Sequence, residues 1–313
     1  MTKILVTGGA GNVGGALVEK LIQNKDNFVI VVDDLSTGFL SKLPKKSHKN
    51  WKFIKADVNN FSEISSIVFS HSFDYVFHFA AVVGVIRTQE NPVSVLNDIK
   101  GIQYILDLSK NSTVKHVYFS SSSEVYGEPV ELPQHEHRTP LNSRVPYAVV
   151  KNVGECFFRS YQQEFGLPYT IFRFFNTYGP NQSTDFVVSK FLALALKNKD
   201  ITIYGDGSQT RTFTYVDDTV DTCIAILNND LLINEVINIG SDKLMTVLEL
   251  AQLVIKLTNS QSHIVHLAPL KDGDMTRRQP DNTKMKEILN RELVSIEEGI
   301  MRMIHNEQFL KSI

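Results

Sequence analysis

Short runs rich in Val, Ile and Phe recur through the first 176 residues, with amphipathic stretches in most of the gaps. The runs are KILVT (3–7), FVIVVD (28–33), WKFIKAD (51–57), DYVFHFA (74–80), KHVYFSS (115–121) and YTIFRFFN (169–176). Intervening stretches such as VGGALVEKLIQN (13–24) space their apolar residues as a helix does. A run that is apolar at consecutive positions buries both of its faces. Strands of that kind alternating with helices specify a parallel sheet covered on both sides, a doubly wound α/β fold. After residue 176 the alternation loosens. DFVVSKFLALALKN (185–198) and TVLELAQLVIKL (246–257) read as helices, ITIYG (201–205) and VINIG (236–240) as strands. The pattern predicts a sheet domain over 1–175 and a smaller C-terminal α/β domain over 176–313, with some later segments returning to the first. No repeat or low-complexity linker separates them, so the two are expected to pack together.

Composition narrows the function classes. The 313 residues are 42% hydrophobic and 21% charged, with a net charge of −2, so no basic face points to nucleic acid. The basic cluster LPKKSHK (43–49) reads as a solvated loop. Cys156 and Cys223, far apart, give neither a disulfide framework nor a metal spacing, which suits a reducing cytoplasm. No apolar run approaches the ~20 residues of a membrane span, and MTKILVTGG enters a strand directly rather than a signal-like segment. No metal site is expected: the isolated pair His135 and His137 in PQHEHRTP reads as solvated, and His78 as a satisfied histidine beside the sheet.

TGGAGNVG places Gly8, Gly11 and Gly14 at three-residue spacing directly after the strand KILVT. Small residues there let backbone approach a pyrophosphate, and the next helix stabilises its charge. The second strand ends in Asp33 and Asp34, nineteen and twenty residues beyond Gly14. A carboxylate there binds the adenine ribose 2′-hydroxyl and repels a 2′-phosphate, which favours NAD, with Asp33 as the reader. Asp57, ending the third strand, is placed to accept from the adenine amino group. These features predict a Rossmann-type NAD site.

YAVVK sets Tyr147 and Lys151 four apart, on one face of a helix. A phenol ordinarily ionises near pH 10. A nearby ammonium and a positive nicotinamide ring are expected to lower that value and make the tyrosine a usable base. FSSSSEVYG (119–127) leaves a buried strand and at once presents hydroxyls and a carboxylate, at the strand end where α/β folds place ligands. Ser122, Ser123 and Glu124 are expected to face the substrate, while Ser120 and Ser121 satisfy backbone groups.

Taken together, TGGAGNVG, DDLSTG (33–38), HFAA (78–81), SSSEVYG (121–127), YAVVK, RFFNTYGP (173–180) and GDGSQTRTFTYVDD (205–218) resemble the extended short-chain dehydrogenases/reductases that modify nucleotide sugars. That resemblance implies a tightly bound NAD recycled in each turnover, a UDP-sugar substrate and a homodimer built on the helices near 94–109 and 148–165. It adds Asn12, Val13, Val58, Ala80 and Ala81 to the cofactor contacts. It implies that Tyr147 takes a proton from the sugar 4-hydroxyl, that Ser122 hydrogen-bonds this hydroxyl, and that Lys151 holds the nicotinamide ribose. Asn176, Arg211 and Arg278 match residues that grip the nucleotide, and Tyr204 is placed to lie over a uracil ring. Idle NAD-binding regulators of the fold generally lack the tyrosine or the lysine; both are present here, which argues for an enzyme.

The fate of the 4-keto sugar turns on Glu124. Ser-Ser-Glu resembles the motif of dehydratases and decarboxylases, where a carboxylate at C5 removes a proton. The first expectation is dehydration of a UDP-hexose, with Ser123 in the place of the usual acid at C6. 4-Epimerisation is second and decarboxylation of UDP-glucuronate third. The decarboxylase group's tail resembles GSQTR, but its acidic pair inside YxxxK is absent, and Asn181 stands where it often has Arg. One further departure concerns NDIKG (97–101): Asp98 stands where the family has an Asn that supports the lysine, with Asn97 one earlier. Either a bulge restores the Asn or that support is altered. The loop AVVGVIRTQENP (81–92) is expected to line the sugar site.

Overall fold

Seven parallel strands form one sheet: β1 (Thr2–Thr7), β2 (Asn27–Asp33), β3 (Trp51–Lys55), β4 (Tyr75–His78), β5 (His116–Ser122), β6 (Tyr169–Phe174) and β7 (Glu235–Ile239). Their spatial order is β7-β6-β5-β4-β1-β2-β3. The computed structural model describes every residue except 45–46, 85–87, 89 and 269–276. The expected loops over 43–49 and 81–92 therefore lie partly outside the described residues.

Side chains alternate across the sheet with the period of two that a strand imposes. Ile4, Val6, Val29 and Val31 enter one core, whereas Leu5, Ile30 and Val32 enter the other. The first core takes Leu17, Val18 and Leu21 of α1 (Asn12–Leu21) and Val220, Cys223 and Ile226 of the helix Val216–Asn228. The second takes residues of α2 (Phe61–His71), α4 (Asp98–Lys110) and α5 (Pro146–Phe165). A short α3 (Pro92–Leu96) precedes α4, so the helix expected near 94–109 is broken at Asn97. Both faces of the sheet are thus covered, which explains why its strands read as continuous apolar runs.

The C-terminal region adds the helices Val187–Leu196 and Val247–Thr258 and the parallel strands Ile201–Tyr204 and Ile264–Leu267. Their Phe191, Leu192, Ile203, Leu250 and Val254 join the first core, so one interior runs through both regions. A capping box starts the second helix: Thr246 Oγ1 accepts from Glu249 N at 3.0 Å, and Glu249 Oε2 accepts from Thr246 N at 2.7 Å. Among the described residues no helix is long and apolar enough to cross a membrane. Ile102, Ile105, Val150 and Phe158 of the helices expected at a dimer face pack within the chain, while Val93, Leu96 and Phe165 are exposed.

Strand order reverses between β1 and β4, and such a reversal opens a crevice at the carboxyl ends of the strands.

Candidate active site

The turn after β1 is closed too tightly for side chains. Gly8 has φ +71°, and a Cβ there would stand 2.5 Å from the Ala80 amide nitrogen; one on Gly14 would stand 2.2 Å from the Gly8 carbonyl oxygen. Gly11 then caps α1 without a side-chain bond to its first amides, and Asn12 Oδ1 is enclosed with no partner. Val13 continues the first turn, partly buried. At the end of β2, Asp33 accepts from the Ala10 amide at 3.0 Å and the Leu35 amide at 2.9 Å. Burial raises its pKa, and these two amides oppose the rise. A cavity of about 520 Å³ opens beside it, lined by Asp34, Ser36, Asp57, Asn59, Val82 and Asn97 among others. Val58 is buried next to Asp57, Ala80 N donates to Thr7 Oγ1 at 3.3 Å, and Ala81 is partly buried. A side-chain-free turn, an orphaned amide oxygen and a carboxylate-lined cavity fit a dinucleotide with free ribose hydroxyls.

The Tyr147–Lys151 stretch lies one strand further on. Pro146 occupies the first turn of α5, and Val145 before it is extended, as a residue preceding proline prefers. This start puts Tyr147 at the end of β5, with Lys151 one turn deeper. Lys151 is 2% exposed; its Nζ lies 3.4 Å from Ser120 Oγ, 5.0 Å from the Phe119 ring centroid and 5.7 Å from that of Tyr147. The Ser122 hydroxyl accepts from the Glu124 amide at 3.2 Å, which leaves its hydrogen free to be offered toward the Tyr147 phenol. In the protein alone the phenol is pushed upward, first by burial and then by the charge of Glu124; Ser122 and Arg278 act the other way. The expected lowering concerned Lys151 together with the nicotinamide ring; in the protein alone burial outweighs the groups that act that way. Burial likewise pulls Lys151 down to about 8, against the charge of Asp98.

Glu124 is not alone at the strand end. Arg278 Nη2 donates to its Oε1 at 2.7 Å, and Arg278 Nε is buried without a partner. Arg278, which the resemblance assigns to the nucleotide, pairs with the Glu124 carboxylate in the protein alone. Ser123, expected to face the sugar, is 1% exposed, folded into the 3₁₀ turn Ser123–Tyr126. Ser120 does satisfy a backbone group, donating to the His78 carbonyl at 3.3 Å. Ser121 does not: its hydroxyl donates to Glu155 Oε1 at 2.6 Å, because a buried carboxylate outcompetes a carbonyl for it.

That carboxylate opens a buried network which sequence spacing did not reveal. Arg173 donates to Glu155 from Nε at 2.8 Å and Nη2 at 2.7 Å, and from Nη1 to the Tyr126 hydroxyl at 2.8 Å. Tyr126 donates to Asn238 Oδ1 at 2.7 Å, and Asn238 Nδ2 donates to the Gln134 carbonyl at 2.8 Å. Gln134 exchanges backbone bonds with Gln279 and Asp281, either side of Pro280. The helix of Tyr147 and the segment of Arg278 are thereby joined through the interior. The usable signal was Glu155 at four residues beyond Lys151, on the same helical face.

At NDIKG no bulge moves Asn97 inward. Asn97 is exposed between α3 and α4, while Asp98 is buried, accepting from Val82 N at 2.7 Å and Asn59 Nδ2 at 3.2 Å. Asn176 takes φ +35° and donates from Nδ2 to the Thr212 carbonyl at 3.0 Å, the behaviour of a turn residue. Arg211 is buried and donates to the Thr210 carbonyl at 2.8 Å. Tyr204 is 38% exposed, with Lys190 Nζ 5.8 Å from its ring centroid. His78 is satisfied as expected, its Nδ1 2.9 Å from Thr7 Oγ1. His137 pairs with Glu235 at 3.1 Å, and no group able to hold a metal occurs among the described residues.

The family model described as "NAD dependent epimerase/dehydratase family" matches residues 4–240. UDP-glucuronic acid decarboxylase 1 of Arabidopsis thaliana is 36% identical over 311 residues, covering 96% of this chain and 69% of that protein. The structure of a UDP-glucose 4-epimerase from Thermotoga maritima with UDP-glucose is 34% identical and covers 99% of each chain, with a TM-score of 0.91. That of a UDP-glucuronic acid 4-epimerase from Bacillus cereus, in complex with UDP-glucuronic acid and NAD, is 28% identical, covers 100% of each and has a TM-score of 0.88. With its seven-stranded sheet, glycine turn and matched length, the chain belongs to the NAD-dependent epimerase/dehydratase family.

Proposed function

We propose that this chain is an NAD-dependent enzyme that oxidises C4 of a UDP-uronic acid and releases its carboxyl group as CO₂. The observation that carries the reading is the Glu124–Arg278 pair at 2.7 Å beside Tyr147. A hydroxymethyl group at C5 offers a guanidinium only a neutral oxygen acceptor, whereas a carboxylate matches its charge and planar fork. The unpartnered Nε leaves Arg278 a donor to offer.

NAD, when bound, supplies the hydride acceptor. The protein's part begins with Tyr147, which as phenolate takes the proton of the sugar 4-hydroxyl while Ser122 orients that hydroxyl. Lys151 supplies fixed positive charge beneath the phenol, and Glu124 fixes the guanidinium. The 4-keto uronic acid is a β-keto acid, which loses CO₂ without an acid at C6 as the C5–C6 electron pair passes into a C4–C5 enolate; a proton taken up at C5 restores the ketone. Dehydration, the first expectation from the sequence, does require such an acid, and enclosed Ser123 is poorly placed to serve. Relatives that act on UDP-glucuronic acid support the same substrate class.

A second reading, 4-epimerisation, is favoured by the neutral Ala148-Val149-Val150 inside YxxxK and by the likeness to a UDP-glucose 4-epimerase. Incubation with UDP-glucuronate and UDP-glucose, then mass spectrometry and NMR, separates the readings. Loss of CO₂ from UDP-glucuronate is the expected result. An unchanged mass with inverted C4 supports epimerisation, loss of water supports dehydration, and inertness toward every nucleotide sugar overturns the proposal.

A further inference from the structure

We infer that Asn238 is a positioning residue: its single carboxamide holds both the turn that carries Glu124 and the segment that carries Arg278, and so sets how that pair meets an acidic sugar. The inference rests on the reading of Arg278 as the group that binds the substrate carboxylate.

Asn238 lies on β7, fully buried, beside Arg173 in the register with β6. Its Oδ1 accepts from the Tyr126 hydroxyl at 2.7 Å, and its Nδ2 donates to the Gln134 carbonyl at 2.8 Å and the Asp281 carbonyl at 3.3 Å. These partners fix which end of the amide is which. Carbonyls only accept, so the nitrogen must face them. The Tyr126 hydroxyl receives a bond from Arg173 Nη1 at 2.8 Å and has its own hydrogen to give to Oδ1. Burial pushes that phenol up to about 12, so it keeps the hydrogen at neutral pH. The backbone of Asn238 is pinned as well. Its N–H donates to Glu136 Oε1 at 3.0 Å, and Arg173 Nη1 donates to the Glu136 carbonyl at 3.0 Å.

Each end of the amide leads to one half of the Glu124–Arg278 pair. Tyr126 closes the 3₁₀ turn Ser123–Tyr126, two residues after Glu124. Gln134 reaches the other half: its N–H donates to the Gln279 carbonyl and its carbonyl accepts from the Asp281 amide, both at 2.8 Å, bracketing Pro280. Arg278 immediately precedes this bridge. Gln279 and Asn282 also donate, to the Asp242 carbonyl at 3.0 Å and the Gly240 carbonyl at 2.8 Å. Those bonds tie the segment to the chain after β7, whereas the Asn238 carboxamide ties it to the turn of Glu124. An aspartate of the same shape lacks the donor this requires. Loss of either end keeps Glu124 and Arg278 but frees their spacing, on which fork-to-carboxylate binding depends more than contact with a neutral hydroxyl does.

Dissociation constants of UDP-glucuronate and UDP-glucose, measured by calorimetry on the NAD-loaded protein, test this, with Tyr147→Phe in every sample to suppress turnover. Tyr126→Phe removes the donor to Oδ1, Asn238→Asp the donor to Gln134 and Asp281, and Arg278→Met the cation of the pair. Arg278→Met should weaken UDP-glucuronate by about tenfold or more and each of the others by about fivefold, with smaller losses for UDP-glucose. The double variants separate positioning from mere structural support. In the Arg278→Met background, Tyr126→Phe or Asn238→Asp should weaken UDP-glucuronate by less than about twofold further. A purely structural role gives the same loss in both backgrounds. Tyr126→Phe keeps the ring in place and decides the matter if Asn238→Asp does not fold. Losses that multiply, or undiminished UDP-glucuronate affinity in Tyr126→Phe, overturn the inference while Arg278→Met still discriminates between the sugars. Arg278→Met weakening both sugars alike, or neither, overturns the reading on which it rests, and the inference with it.

Discussion

Burial works against the ionisation that the proposed role of Tyr147 requires. Ser122 and Arg278 act on its hydroxyl against burial and Glu124, so a positive charge brought in beside it shifts the balance. Tyr147→Phe is expected to cut turnover by about 10²–10⁴-fold while NAD remains bound, checked by steady-state rates and by nucleotide released on denaturation. Glu124→Gln loosens Arg278 without touching the C4 hydroxyl. It should preserve the rise in NADH absorbance on mixing with substrate and slow product release from that state. Full activity in Glu124→Gln would remove Glu124 from the mechanism. Replacing Arg278 with Met should raise KM for a UDP-uronic acid by about tenfold or more, the worth of one charge-assisted contact, and change that for a UDP-hexose far less.

At the scale of elements, the helix α5 is held to the sheet by the buried Glu155–Arg173 pair as much as by Val150 and Phe158. Breaking one partner of such a pair strands the other charge. Glu155→Gln should therefore lower unfolding free energy by about 3–5 kcal/mol, measured by urea titration. The strands, the glycine turn and the Tyr147–Lys151 spacing were legible in the sequence because each is encoded by neighbours a few residues apart. So was the placement of Ser122 and Glu124 at a strand end. Long-range partners escaped. Arg278 meets Glu124 from the far end of the chain, Arg173 finds Tyr126, and Asp98 finds Val82; no periodicity records such partners. The upward push of burial on Tyr147 in the protein alone escaped for the same reason, because burial is a property of the assembled fold.

Across the whole molecule, the same burial that shapes the site makes the fold sensitive to acid. His78 is pulled down to about 3 and His116 to about 4, in both cases chiefly by desolvation. Above the unfolded value near 6.5 both are neutral in either state and contribute nothing to pH dependence. Below it the unfolded chain takes up protons that the folded chain refuses, so stability falls as pH drops from about 6.5 toward about 4. The slope is about 1.4 kcal/mol per pH unit for each histidine, readable from urea unfolding at a series of pH values. His116→Gln should make that slope shallower; an unchanged slope would contradict the assignment.

The claim on which the functional account depends is that hydrogen leaves C4 of a nucleotide sugar and returns within one turnover, beside Tyr147. UDP-glucuronate deuterated at C4, incubated with the NAD-loaded enzyme and analysed by mass spectrometry and NMR, tests it most directly. The account predicts a product that has lost CO₂ and still carries deuterium at C4, formed more slowly than from unlabelled substrate. Recovery of the labelled substrate unchanged, or a product whose C4 label has passed into the solvent, would contradict it.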